Sequence, residues 1–427
     1  MATKNIIAYV SKLPEGVIET VRQHTRETGE EYRVMLIENT DRNLTAKQSG
    51  AGVEDLDIVL RVDFTKPFAL HEALMPYADE LCAVSCRAES YIADFAKLIP
   101  HIPYVSTPTD ESIAWASDKL TMRRHFKMWD PKITPKFTQI KNQTPEEIDR
   151  VAKMIGYPMI VKPTNLAQSL LVSVVHHEAE MKKVLKDTFS LIEKTYKENG
   201  RTEAPRVIAE EYMDGIMYSV DAYVSARGKV DFCPIVRIKT GKDIGRDDFY
   251  GYLQMTPTIL SKESIAMAET VSTKGIHALG LRSTTAHVEL MRVDNDWKII
   301  EIGARIGGFR HDLHMTTCGI NHSMNDALIR MGKKPIIPKK CGKFAAAMKW
   351  YAATEGTIAS IKGVKKIEAL ESFNHLTQIK KRGDKAIFAK NGGKAIFHIF
   401  LAHGDRSQLL ADIRRVEEYL QVEVTRA

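Results

Sequence analysis

The sequence predicts a fold of mixed α/β and α+β class: a Rossmann-like domain over residues 1–112, a middle domain over 113–340, and a small β-rich domain over 341–427. Three observations predict it. The first hundred residues alternate short apolar runs with helical stretches, the middle of the chain ends in a hairpin of two long alternating strands, and after Pro335 and Pro338 the pattern turns to short strands. A chain of 427 residues also exceeds the usual size of a single hydrophobic core.

The N-terminal runs Ile6–Val10, Val34–Ile37, Asp57–Val62 and Leu81–Ser85 interleave with helical stretches Gly16–Thr28, Phe68–Tyr77 and Ser90–Leu98. That rhythm is the signature of a parallel sheet flanked by helices. No G-x-G-x-x-G follows the first run, so a dinucleotide fingerprint is absent. After a turn at Pro103–Pro108, one helix is expected from near Asp110 to Phe126, and Pro131, Pro135 and Pro145 mark connections. Helix Pro145–Ile155 then leads to strand Met159–Lys162, closed by Pro163. The stretch Glu178–Asn199 places Met181, Val184, Leu185, Phe189 and Ile192 at helical spacing, the pattern of a covering helix. Strands Val207–Tyr212, Tyr218–Val224 and Val230–Ile238, a polar loop to Tyr252 and helix Ser261–Leu279 precede the hairpin. The last domain reads as strands Phe344–Tyr351, Thr357–Ile361, Leu376–Lys380 and Ile396–Ala402, ending in helix Ser407–Leu420.

Composition narrows the function classes. A hydrophobic content of 44% with 27% charged residues is that of a soluble globular protein. No apolar run approaches the roughly 20 residues of a spanning helix, so no membrane partner is expected. The start MATKNIIAYVSKLPEG lacks the long apolar core of a signal peptide, which makes the cytoplasm the expected compartment. Five scattered cysteines, Cys82, Cys86, Cys233, Cys318 and Cys341, form no CxxC pair and are expected as buried thiols. The net charge of +7 is spread along the chain; nucleic acid would call for a concentrated basic stripe, so small anionic ligands are favoured instead.

The most informative stretch is TAHVELMRVDNDWKIIEIGARIGG, Thr285 to Gly308, two alternating strands around Asp294-Asn295-Asp296. A hairpin centred on Asn295 sets Glu289 across from Glu301 and His287 across from Gly303, with Arg305 beyond on the same side. Val288, Leu290, Ile300 and Ile302 then form the buried face. Opposed carboxylates repel at a Cβ separation of about 5 Å, and a bound cation removes that penalty. Carboxylates without nearby thiols favour a hard ion such as Mg²⁺, with Mn²⁺ as substitute, shared with nucleotide phosphates. Removing one of the two like charges is expected to leave apo stability unchanged or raised. A slipped register would leave both as ordinary surface carboxylates.

Two lysines, Lys119 in SDKLTMRRHF and Lys162 in YPMIVKP, are placed to reach phosphates, although a lone lysine is more often a snorkelling surface residue. Together, DKLTMR, IVKPTNLAQSLLVSVV, IAEEYMDGIMYSVDAYV and HVELMR…EIGARIGG resemble, in that order, the ATP-grasp superfamily. The resemblance covers Ile113 to Gly319, and the E-x-G-A-R-x-G-G form looks closest to L-amino-acid ligases. It implies ATP held between two α+β lobes, with Lys119, Lys162 and Ser169 on the phosphates and Glu210, Glu211, Tyr212 and Met213 around the adenine. Glu289 and Glu301 would hold Mg²⁺, and Arg305 would stabilise the reacting phosphate. Three departures stand out: Ala167 and Leu171 replace glycines of the phosphate loop Pro163–Ser173, Met217 replaces a ribose-binding glutamate, and Gly303 replaces an asparagine beside the second metal glutamate.

The resemblance implies a ligase that activates a carboxylate as an acyl phosphate and joins it to an amine, with small carboxylate and amine substrates. A homodimer is one assembly it allows. A bicarbonate-activating carboxylase and a nucleotide-binding protein without turnover are the alternatives. Candidate substrate residues are Arg246 in the loop Lys239–Tyr252, His287, and Gly307, Gly308, Arg310 and His311 after the hairpin. His314 and Cys318 are read as structural or substrate-orienting. Arg310 is equally readable as a partner in a surface salt bridge.

Overall fold

Strands β1 (Ile6–Val10), β2 (Arg33–Asn39), β3 (Ile58–Val62) and β4 (Leu81–Ser85) form a parallel sheet in the order β3-β2-β1-β4. Helices α1 (Val17–Thr28), α2 (Pro67–Leu74) and α3 (Ile92–Leu98) supply the expected crossovers. These coordinates are a computed structural model that describes residues 4–14, 16–41, 53–167, 169–201 and 203–425.

The helix expected from Asp110 to Phe126 is broken. α4 (Asp110–Ser117) stops at Asp118, whose carboxylate caps α5 (Lys119–Trp129) by accepting from the Thr121 N–H at 2.8 Å. The break puts Lys119 at the first turn of α5, where its own N–H bonds the Thr164 carbonyl at 3.0 Å.

The first lobe is an antiparallel sheet of β5 (Phe137–Ile140), β6 (Met159–Pro163), β7 (Ser173–Val175) and β8 (Val207–Glu211), in the order β5-β8-β6-β7. Helices α6 (Pro145–Ile155) and α7 (Glu178–Glu198) cover it, and Met181, Leu185 and Ile192 of α7 enter its core. In the second lobe, β9 (Ile216–Val224) pairs with β10 (Val230–Phe232) and β11 (Val236–Thr240). These are two strands where one was expected, separated at Cys233, Pro234 and Ile235. β12 (Gly251–Thr256) follows, then α8 (Lys262–Ala278), β13 (Thr284–Val293) and β14 (Asp296–Gly303). α8 lies so close to the hairpin that a Cβ at Gly275 would stand 2.3 Å from Ile299 Cδ1, so any larger residue there would have to displace the Ile299 side chain. Two helices the sequence pattern did not reveal, α9 (Arg310–Cys318) and α10 (His322–Arg330), come next.

The β-rich tail is not a free-standing sheet. β15 (Phe344–Trp350) pairs with β12, so the second lobe's sheet runs on as β14-β13-β9-β11-β12-β15-β19-β17. Within the tail, β16 (Gly356–Lys362), β18 (Lys385–Ala386) and β20 (Gln421–Thr425) form a separate small sheet beside α11 (Val364–Glu368) and α12 (Arg406–Tyr419). β17 (Phe373–Gln378) and β19 (Phe397–His403) complete the large one. A strand with an open edge gains a full ladder of hydrogen bonds by accepting a neighbour, which is why the tail docks there. The cysteine expectation needs a second correction: Cys318 and Cys341 form a disulfide, whereas Cys82, Cys86 and Cys233 are free. Among the described residues no helix is long and apolar enough to cross a membrane.

Candidate active site

Glu289 stands opposite Glu301 and His287 opposite Gly303. Two offsetting features produce that register. The turn is only Asp294-Asn295, with Val293 paired to Asp296, and a bulge beside Glu289 restores the offset. The bulge also corrects the buried face. Leu290 pairs with Ile299, so Ile299 joins Val288, Leu290 and Ile302 in the core in place of Ile300. The displaced backbone is used: Arg123, fully buried on α5, donates to the carbonyls of Ile299 at 3.0 Å and Ile300 at 2.7 Å.

The carboxylates are neutralised by cations of the chain. Lys119 Nζ donates to Glu301 Oε1 at 3.0 Å and to the Leu166 carbonyl at 2.9 Å, tying the hairpin to the loop after β6. His287 Nε2 lies 3.5 Å from Glu289 Oε1. Burial pushes the Glu289 carboxyl up, but His287, Arg310 and Arg305 together hold it below the usual range. The geometry therefore reverses the stability expectation: removing Glu301 would strip the buried Lys119 ammonium of its carboxylate.

Behind His287 lies a buried network that the sequence reading missed. β9 sets Asp221 beside His287, and its Oδ1 lies 2.5 Å from His287 Nδ1. Its Oδ2 accepts from the Gly307 N–H at 2.9 Å and lies 2.7 Å from His322 Nε2. Burial alone would raise the Asp221 carboxyl, yet His287 and His322 hold it well below the carboxylate range. The signal was present, since an aspartate in the apolar run IMYSVDAYV is a charge with no reason to be buried unless paired. Gly307 fits because it lacks a side chain: a Cβ there would meet His287 Nδ1 at 2.4 Å.

The two lysines are not surface residues. Lys162 Nζ bonds Glu210 Oε2 at 2.8 Å, and Arg123 forks onto the same carboxylate at 2.9 and 3.1 Å. Burial draws the Lys162 ammonium below the lysine range, while Glu210 falls to about 2 because the two cations outweigh its burial. The Glu210 carboxylate is therefore paired with both Arg123 and Lys162. At the hinge, Glu211 bonds Lys298 at 3.2 Å, and the Glu211 and Tyr212 N–H groups bond Lys136 O at 2.9 Å and Pro158 O at 3.4 Å. Tyr212 and Met213 remain partly exposed. In the phosphate loop, Ser169 and Leu171 adopt left-handed φ of 61° and 55°, the conformation glycine enters without steric cost. Leu171 N–H also bonds the Lys390 carbonyl at 3.4 Å.

Arg305 is held by Glu89, a residue of the N-terminal domain, and its Nη1 bonds the Ile306 carbonyl at 3.0 Å. Glu89 was not anticipated, because nothing in ESY marks it without the docking of the domains. Arg310 is no surface residue: it is 2% exposed and donates to Ser219 Oγ at 2.6 Å, Gln254 Oε1 at 2.5 Å and the Gly308 carbonyl at 3.0 Å. His311 Nδ1 accepts from the Ser323 N–H at 3.2 Å, while the charge of Arg246 acts on Tyr250 and Tyr252. Beside Gly308, a Cβ would have open space.

Burial holds His311 at about 4 and His314 at about 3. Only the unfolded chain can take up these protons below the ordinary value of 6.5, so the stability they confer is complete above that pH and falls as pH drops toward 4 and 3. Each contributes a slope of up to about 1.4 kcal/mol per pH unit. His287, raised by Asp221 against its burial, acts with the opposite sign, its contribution fading as pH rises through its folded value. Urea midpoints should fall between pH 7 and pH 5, and His314→Phe should flatten the trend; equal midpoints at both pH values would refute it.

These groups form a constellation of two opposed carboxylates, two buried lysines and an arginine fork. Residues 155–312 match the ATP-grasp domain family. That segment is similar to ATP-grasp domains. It is 27% identical over 245 residues to the alanine–anticapsin ligase of Bacillus subtilis (strain 168), covering 53% of this chain and 49% of that one. It is also 27% identical over 223 residues to a formate-dependent phosphoribosylglycinamide formyltransferase of Corynebacterium jeikeium (strain K411), covering 48% and 47%. The chain thus spans about half the length of the curated relatives it matches. An L-amino acid ligase from Bacillus licheniformis has the same fold over 100% of both chains, with a TM-score of 0.77 at 17% identity. Among the described residues no group of three or more His, Cys, Asp or Glu side chains stands where it could hold a metal ion; Glu289 and Glu301 are an opposed pair of carboxylates, and Mg²⁺ takes one or two when phosphates and water complete its shell.

Proposed function

We propose that the protein is an ATP-dependent carboxylate–amine ligase. The observation that carries this reading is the convergence of Lys119, Lys162 and Arg305 with the Glu289–Glu301 pair, a set suited to stabilising charge in phosphoryl transfer. The acid substrate's carboxylate oxygen attacks the γ-phosphorus of ATP, giving an acyl phosphate and ADP. The amine then attacks the acyl carbon, phosphate leaves, and the nitrogen loses a proton. Lys119 and Lys162 would neutralise phosphate oxygens on entry, exchanging Glu301 and Glu210 as partners. Tyr212 and Met213 would border the adenine. Mg²⁺ held by Glu289 and Glu301 would supply charge neutralisation at the β- and γ-phosphates.

Arg305 has the role most sensitive to geometry. Its fork can span two oxygens of the transferred group while Glu89 fixes its orientation, whereas an ammonium is a point charge. Arg305→Lys should lower kcat by about 10²-fold with little change in nucleotide affinity. Equal losses in both would make Arg305 a ground-state ligand.

The reaction class is tested with ATP, hydroxylamine and a panel of acids. ADP and phosphate should form with acid and amine together, and hydroxylamine should trap the acid as its hydroxamate. AMP and pyrophosphate as products would overturn the mechanism. Bicarbonate-dependent ADP formation without an amino acid would favour a carboxylase, and tight ATP binding without turnover would favour a binding module.

A further inference from the structure

Among the described residues, Lys349 near the site forms no ion pair. Lys349 lies on β15, in the tail that extends the second lobe's sheet, and the charges acting on it are Arg310, Glu289 and Arg305. Its Nζ sits over the Phe309 ring at 5.3 Å, and Phe309 leads directly into Arg310 at the start of α9. Its cross-strand neighbour is His398, whose ring packs edge-on to Phe309 at 4.8 Å.

The other cations here face carboxylates: Arg305 faces Glu89, Lys119 faces Glu301, Lys162 faces Glu210, and Arg310 faces Asp221 at 4.0 Å. Among the described residues, Lys349 has no carboxylate within ion-pair distance. Burial and the neighbouring Arg310 pull its ammonium below the lysine range, and His398, held at about 4 by burial and Lys349, is neutral and offers no counter-charge. An ammonium that faces two guanidinium groups against the one carboxylate of Glu289, and that forms no ion pair, is unfavourable unless a ligand supplies a further anion.

We infer that Lys349 receives a second anionic group of the acid substrate, so that the acid is of the dicarboxylate class. This rests on the ligase reading, in which Arg305 stabilises the phosphoryl group that the reacting carboxylate receives. Lys349, with the Phe309 and His398 rings at its side, then marks the end where the substrate's own side chain lies.

Calorimetry on the full chain with MgADP tests it, using L-glutamate against L-glutamine and succinate against succinamate. Each pair has nearly the same shape and differs by one charge. Wild type should bind each diacid about tenfold tighter than its amide, equivalent to about 1.4 kcal/mol. Lys349→Met should erase the difference, and Lys349→Arg should restore it. Equal affinity within each pair, no binding of either diacid, or a preference that survives in Lys349→Met would overturn the inference. So would an equal loss of kcat for all acids in Lys349→Met, which would place the lysine on the transferred phosphoryl group. Charge preference in binding without hydroxamate formation would sink the ligase reading while leaving the subsite; ADP formation without charge preference would do the reverse.

Discussion

Glu301→Gln should reduce turnover by about 10²–10³-fold, with Glu289→Gln close behind, because each removes one of the two carboxylates able to hold the cation that shares the phosphates. The two variants should differ in the apo protein. Glu301 is the carboxylate partner of Lys119, which is 8% exposed, so its amide analogue leaves a buried ammonium poorly compensated and should lower apo stability. Glu289 is opposed by His287, a group that can shed its proton, so its loss should cost less. Turnover at limiting Mg²⁺, read beside urea unfolding without nucleotide, separates the effects. Normal turnover by either variant would remove that glutamate from the metal site.

Arg123→Leu should destabilise the fold by about 3–5 kcal/mol. Its guanidinium bonds Glu210 twice and reaches the carbonyls of Ile299 and Ile300, so one side chain ties α5 to the first lobe's β8 and to the hairpin. Removing it leaves Glu210 with Lys162 alone and two buried carbonyls without their donor. Because Glu210 is depressed to about 2, its contribution in the wild type is present above the ordinary carboxyl value of 4.5 and is lost as pH falls from there toward 2. The variant should show less of that acid loss. A change below 1 kcal/mol in chemical denaturation would show that the triad is dispensable.

The parallel N-terminal sheet, the covering helix α7 and the opposed glutamates were legible because each rests on a local period: two residues for a strand face, about 3.6 for a helix face. The hairpin register was right at the glutamates for a different reason from the one assumed, since a shorter turn and a bulge cancel. That cancellation is a matter of backbone geometry, which the residue pattern does not encode, and so Ile299 and Ile300 were exchanged. The break before Lys119 was readable in principle, as an aspartate in the middle of a helical pattern is a good N-cap.

Taken alone, the sequence determined the class of most segments, α9 and α10 excepted, together with the four ordered motifs and the residue types suited to phosphate and a hard cation. The tertiary structure alone decided which charges meet. Lys119 reaches Glu301 across 182 residues, Arg305 reaches Glu89 across 216, and the tail's β15 carries Lys349 to the same site by joining β12. Periodicity reports only which face of an element is apolar. A buried charge is tolerated only beside its partner, and that partner is fixed by how whole domains dock, which no local pattern contains.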